Sequence, residues 1–149
     1  MTTKRTGEPW MSADSYGRGL PKFTVNLIVR DIARSVAFYQ SVLGARAQYS
    51  DPDFAALELA GLEFCLHADH TYDGHPWRAR LVESAKRGLG AELRLLGVNP
   101  DEVESRARNT GAVILQPAMD KPHGWRDVVV EDPDGYAWAV GVTNPAGTE

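Results

Sequence analysis

Polar and apolar positions follow the same programme twice along this chain. From Phe23 to Val29, Val25, Leu27 and Val29 define one face of a strand and Thr24, Asn26 and Ile28 the other. Ile32, Val36, Tyr39 and Leu43 then recur at helical spacing, the stripe of a helix facing a core. Asp31 is placed to cap that helix and Gly44 to stop it in the left-handed conformation. Short alternating runs predict strands over 45–49, 54–59 and 62–67, the last with Leu62, Phe64 and Leu66 on one side and Glu63, Cys65 and His67 on the other. The unit is β-α-β-β-β.

The pattern breaks over residues 69–90, a stretch rich in Asp, His, Gly, Pro and Arg, read as a linker with a helical turn near 80–86. It then resumes. Leu93 and Leu95 alternate with Glu92 and Arg94 in a strand; Asn99, Pro100 and Glu102 open a second helix, and Gly111 closes it. Val113–Gln116 predicts another strand. Residues 124–142 predict a closing hairpin around Asp132-Pro133-Asp134-Gly135, with Pro133 presetting the first corner and Gly135 in the left-handed position. Gly61–Leu66 occupies the same place in its unit as Gly135–Val140 does in the second, so the chain is an internal repeat. The partition is an N-terminal arm at 1–22, expected to be flexible with Trp10 as a docking point, a first module at 23–68, the linker at 69–90, a second module at 91–142, and a tail at 143–149. The fold class is α+β.

Composition adds exclusions. At 149 residues the chain can bury a real core, and 43% hydrophobic with 24% charged residues is ordinary for a globular protein. A net charge of -4 argues against a general nucleic-acid binder. No apolar run reaches the roughly 20 residues that span a bilayer, and the N-terminus lacks the apolar core of a signal peptide. The single cysteine, Cys65, forms no intramolecular disulfide. A cytoplasmic protein without membrane or nucleic-acid partners is the expectation.

The run Asn26-Leu-Ile-Val-Arg-Asp31-Ile-Ala-Arg-Ser35-Val-Ala-Phe38-Tyr39, then Leu43-Gly44, and the second unit's closing Asp132-Pro-Asp-Gly135, resemble the vicinal oxygen chelate superfamily, which includes glyoxalase I, extradiol dioxygenases, fosfomycin-resistance enzymes and bleomycin-resistance proteins. The resemblance implies a glyoxalase/bleomycin-resistance-like fold, with cupped mixed sheets around a cavity and usually two chains in a homodimer. It places metal ligands at Thr24, Cys65, Glu92 and Ala139. Ala139 has no donor atom and Thr24 is a poor ligand, so the set departs from a metal enzyme's. The expected function is therefore metal-independent binding and sequestration of a small organic molecule, as in antibiotic-resistance proteins of the bleomycin type, with no cofactor. The alternative is a lyase, isomerase or dioxygenase using a divalent metal such as Zn, Ni, Mn or Fe, held by Glu63, His67 and Glu92.

The candidate ligand-binding residues are Asn26, Glu63, Cys65, His67, Glu92, Trp125, Arg126 and Ala139. Ala137, Ala139 and Gly141 leave space on an inward face, and Trp125 or Trp77 offers a stacking surface at a rim. Arg126 either receives an anionic ligand or pairs with Asp127 or Glu131 across the hairpin. Cys65 reads as a buried, inert thiol. The cluster His67, Asp69, His70, Asp73 and His75 reads as a tied loop or dimer contact, or as a metal or proton-transfer site. By alternation Trp138 faces the helix side.

Overall fold

The computed structural model describes residues 3–83 and 85–145. The chain forms two compact units: Met1–Ala37 with Ala45–Ala85, and Phe38–Gly44 with Lys86–Glu149. Each carries a four-stranded mixed sheet, and the two strand orders are equivalent, as the internal repeat requires. No helix among the described residues is long and apolar enough to cross a membrane.

In the first unit the arm carries a short helix, α1 (Ala13–Arg18), capped by the Ser12 hydroxyl on the Ser15 N–H. The sheet comprises β1 (Asn26–Val29), β2 (Arg46–Ser50), β3 (Phe54–Leu59) and β4 (Leu62–Ala68), in the order β1-β4-β3-β2. β1 runs parallel to β4 and the other pairs are antiparallel. Register puts Asn26 beside Cys65, Ala56 beside Cys65, and Phe54 beside His67, so these side chains share one face. The opposite face is core: Leu27, Val29, Ala55, Leu57 and Leu66 are buried. Between β1 and β2 runs α2 (Ile32–Phe38), whose Ile32, Ser35 and Val36 are buried.

The helix then widens into a π-helical turn, Tyr39–Leu43, which ends at Gly44 with φ 76° and belongs to the second unit. There it packs against α3 (Pro100–Thr110). The Asn99 side chain caps α3 by accepting from the Asp101 and Glu102 N–H groups. The second sheet comprises β5 (Glu92–Leu96), β6 (Val113–Asp120), β7 (Trp125–Glu131) and β8 (Ala137–Thr143), ordered β5-β8-β7-β6. At the β7–β8 turn Asp132 Oδ1 accepts the N–H groups of Asp134, Gly135 and Tyr136, each at 2.9 Å. Its Oδ2 accepts the Tyr39 hydroxyl at 2.6 Å, and that hydroxyl accepts the Trp138 indole N–H at 3.1 Å. Trp138 is 6% exposed, so it lies in the core on the side alternation assigns to it.

Three local expectations need correction. Phe23 is not in a strand; it precedes β1 and is 84% exposed, with nothing to pair it. The linker's helical turns are two 3-10 turns at Asp69–Tyr72 and Pro76–Arg80, before the predicted place, where His75 and Pro76 can start one. The Arg30 guanidinium holds the segment that follows, donating to the carbonyls of Val82, Glu83 and Ala85. Finally, β6 runs on to Asp120, because this edge strand absorbs Pro117 in its irregular register.

Candidate functional site

A cavity of about 540 Å³ opens on the polar face of the first unit's sheet. Its floor is built by β1, β3 and β4, which present Asn26, Phe54, Cys65 and His67 by register. Its wall is the N-terminal arm, with Arg5, Pro9, Trp10, Met11, Tyr16 and Leu20 among the lining residues. The segment read as a flexible arm is thus seated on the sheet. The Trp10 ring stacks parallel to Tyr49 with centroids 5.1 Å apart, and Tyr16 meets Phe54 edge-on at 4.9 Å. At the far end of the arm the Arg5 N–H donates to Asp53 Oδ1 at 2.7 Å and its guanidinium to Asp51 Oδ2 at 3.1 Å. Burial works to raise the Asp53 pKa, but the Arg5 N–H, the His70 hydrogen bond (2.7 Å) and both positive neighbours carry it below the usual carboxylate range.

At the cavity floor one amide organises three other groups. Asn26 Nδ2 donates to the Tyr72 hydroxyl at 2.9 Å, which turns Oδ1 toward His67 Nδ1 at 2.6 Å. His67 therefore carries its proton on Nδ1 and presents Nε2 as an acceptor. Burial lowers the His67 pKa from an already sub-neutral 6.5, outweighing the Asp51 charge, so the ring is neutral at pH 7. Cys65 Sγ also points at Asn26 Oδ1, 3.5 Å away. Burial, then the charge of Glu63, pushes its thiol up to about 11. Glu63 itself accepts from the Tyr16 hydroxyl at 3.5 Å.

This thiol should be inert. Against an ordinary value of 9.0, a pKa of about 11 reduces the thiolate fraction at pH 8 roughly 100-fold, and Cys65 is only 3% exposed. Labelling by a disulfide reagent at pH 8 should run at least that much slower in the native protein than after unfolding. Equal rates would show an accessible, activated cysteine.

The other residues singled out in the sequence belong to the second unit. Glu92 is exposed on β5 and lies 3.6 Å from Arg94. The Arg94 guanidinium sits 4.5 Å over the Trp125 ring, so that indole already holds a cation. Arg126 pairs with Asp101 at 2.7 Å and Asp120 at 3.3 Å, instead of the Asp127 or Glu131 partners considered from sequence. Those partners raise its pKa, so it is a bound structural cation. Ala139 is 2% exposed.

The donor set does not fit the family's metal. Ala137, Ala139 and Gly141 bring no donor to β8. Among the described residues no group of three His, Cys, Asp or Glu side chains is placed to hold an ion. Glu63 and His67 share one face of the first unit, while Glu92 is in the second. The cluster from His67 to His75 resolves into separate pairs: His70 with Asp53, Asp73 with Arg78, and the His75 ring accepting the Trp77 N–H. Sequence reasoning missed Arg5, Tyr16, Phe54 and Tyr72. The available signal was two unexplained aromatics, Trp10 and Tyr16, in an otherwise polar arm.

Comparison with known proteins places this geometry. No curated protein matches the chain. A glyoxalase/bleomycin resistance protein/dioxygenase family enzyme from Burkholderia phytofirmans PsJN superposes with a TM-score of 0.65 at 21% identity, over 81% of this chain and 97% of that one. TioX from Micromonospora sp. ML1 gives 0.61 at 26% identity, with the same coverage. The fosfomycin resistance protein FosX from Listeria monocytogenes gives 0.61 at 19% identity, over 84% and 94%. The Glyoxalase/Bleomycin resistance protein/Dioxygenase superfamily profile matches residues 23–140, most of the chain, and the chain belongs to that superfamily.

Proposed function

We propose that this protein binds and sequesters a small, partly aromatic organic molecule without a metal, in the manner of a drug-binding resistance protein. The observation that carries this reading is the first unit's cavity, whose volume of about 540 Å³ is that of a small-molecule site. Trp10, Tyr16 and Phe54 give it aromatic walls; Asn26 and the neutral His67 are its polar anchors. Asp51 and Asp53 at its margin, with Glu63 behind Tyr16, outnumber Arg5 and favour a neutral or cationic ligand over a phosphate-bearing one. The buried Cys65 thiol, its pKa pushed up to about 11, is a weak nucleophile at neutral pH. Of the residues singled out in sequence, Asn26, Cys65 and His67 would meet the ligand. Glu63 would act through Tyr16, while Glu92, Trp125, Arg126 and Ala139 would support the second unit. A homodimer is part of this reading, and the exposed Leu96, Val113 and Met119 of the second unit are compatible with it.

The test is calorimetry with a planar cationic heterocycle that carries N–H donors, such as 9-aminoacridine, beside elemental analysis of the dialysed protein. Saturable binding that is insensitive to a chelator, with substoichiometric metal and unchanged ligand recovered, is expected. Turnover of a thiol adduct or a catechol that follows one tightly bound ion per chain would replace sequestration by enzymatic chemistry.

A further inference from the structure

We propose that the N-terminal arm is a ligand clamp, and that the cavity it closes selects planar aromatic molecules carrying an O–H or N–H donor for His67 Nε2. This rests on the binding reading above and says how that site chooses.

The family match begins at residue 23, so the arm lies outside what the superfamily profile describes, yet it builds one whole wall of the cavity. Its attachment is light. No residue of α1 is buried, and Trp10 remains 42% exposed beside its stack on Tyr49. Arg5 ties the far end of the arm to Asp51 and Asp53, on a turn that is itself braced by Asp51 Oδ1 accepting the Asp53 and Phe54 N–H groups. A segment held at its two ends with few buried contacts between them opens locally at small free-energy cost, while the sheet beneath stays formed. Admission of a ring between the arm's aromatics and Phe54 therefore requires only displacement of the arm, and the ring then restores the covered surface.

Selection follows from the floor. The chain of bonds from His67 Nδ1 through the Asn26 amide to Tyr72 fixes one tautomer. Among the described residues no protein group occupies His67 Nε2. A ligand that covers this half-buried nitrogen without offering a proton strips it of water and gives nothing back. Sites built around a hydrogen bond reject analogues that lack it far more strongly than apolar pockets reject a methylene. Anions lacking a donor are disfavoured further by the carboxylates beside Arg5.

Calorimetry on the full chain with 2-naphthol and with 2-methoxynaphthalene tests both halves. The two probes share a ring system and differ in the donor. Wild-type protein should bind 2-naphthol at least 10-fold tighter than its methyl ether. His67→Phe should bring 2-naphthol down to the affinity of the ether. Trp10→Ala should weaken both probes about equally, and Trp10→Phe should restore most of the loss. Equal affinity of the wild-type protein for the two probes overturns the donor selection, and undiminished binding by Trp10→Ala overturns the clamp; neither needs a fragile variant. Either result with saturable aromatic binding leaves the sequestration reading standing. Absence of binding by these probes and by 9-aminoacridine removes both together.

Discussion

Replacing Asp132 by alanine should cost the second unit about 3–5 kcal/mol at pH 5, the largest loss expected from any single side chain in the β7–β8 turn. The carboxylate accepts three backbone N–H groups and the Tyr39 hydroxyl, and the residue is 3% exposed. Removing it takes this acceptor from the Asp134 and Tyr136 N–H groups and the Tyr39 hydroxyl, while the Gly135 N–H keeps the Asp132 carbonyl at 3.1 Å; each buried donor that loses its acceptor costs about 1–3 kcal/mol before relaxation and water entry reduce the sum. Domains are stable by only about 5–15 kcal/mol, so such a loss is close to unfolding. Tyr39→Phe should cost less, about 1–3 kcal/mol, because it removes the hydroxyl that links Asp132 Oδ2 to the Trp138 indole N–H but keeps the ring's packing. Amide exchange on β7 and β8 reads both.

The same residue makes the stability depend on pH, with an unusual sign. Burial raises the Asp132 pKa to about 6, against 3.8 ordinarily; the bonds from Tyr39 and the backbone hold it down, and Asp134 adds to the rise. A carboxyl raised on folding binds its proton more tightly in the native state. It therefore stabilises as pH falls from about 6 toward 3.8, and that contribution is lost as pH rises through 6. The alanine variant lacks this term, so its deficit should be about 1.4 kcal/mol larger at pH 5 than at pH 8. A deficit that shrinks on acidification would mean that Asp132 is held as a strong carboxylate, with a depressed pKa.

This turn was legible in outline. Asp132-Pro133-Asp134-Gly135 announces itself through Pro133, Gly135 and the alternation on either side, and Gly135 takes φ 101°. Hidden was the partner: Tyr39 lies 93 residues earlier, on a helical stripe where it reads as one more core residue. The arm shows the same limit. Trp10 and Tyr16 meet Tyr49 and Phe54, distant positions with no periodicity to connect them. Asp51 and Asp53 look like ordinary turn residues until Arg5 is seen against them. Period-two and period-3.6 patterns report which side of an element faces inward, and the two sheets follow from them. They carry no information on which distant side chain completes a buried carboxylate or walls a cavity. Arg126 illustrates the difference within one strand. Its face is set by alternation, but its partner Asp101 comes from α3.

Gly141→Ala should be the most damaging single-methyl change in the second sheet, costing about 3 kcal/mol or more. From sequence, Gly141 joins Ala137 and Ala139 as small residues that leave space for a ligand. In the structure the space at Gly141 is already taken. A Cβ there would stand 2.2 Å from the Arg126 carbonyl oxygen and 2.8 Å from Asp127 Cβ. Such distances between unbonded atoms force one strand to move, and overpacking of this kind typically costs about 1–3 kcal/mol even where side chains can yield. Here the obstacle includes backbone. Relief by shifting β8 is also blocked, because the Gly141 carbonyl accepts the Gly97 and Val98 N–H groups at 2.8 and 3.3 Å just beyond β5. The glycine thus sets how closely β7 and β8 approach, opposite the buried Asp127. Ala137→Ser, at a half-buried position, is the control and should stay within about 0.5 kcal/mol. Denaturation and amide exchange of the two variants separate the readings. If Gly141→Ala also stays within that margin, the strands are looser than their geometry requires, and the small residues of β8 return as candidates for ligand space.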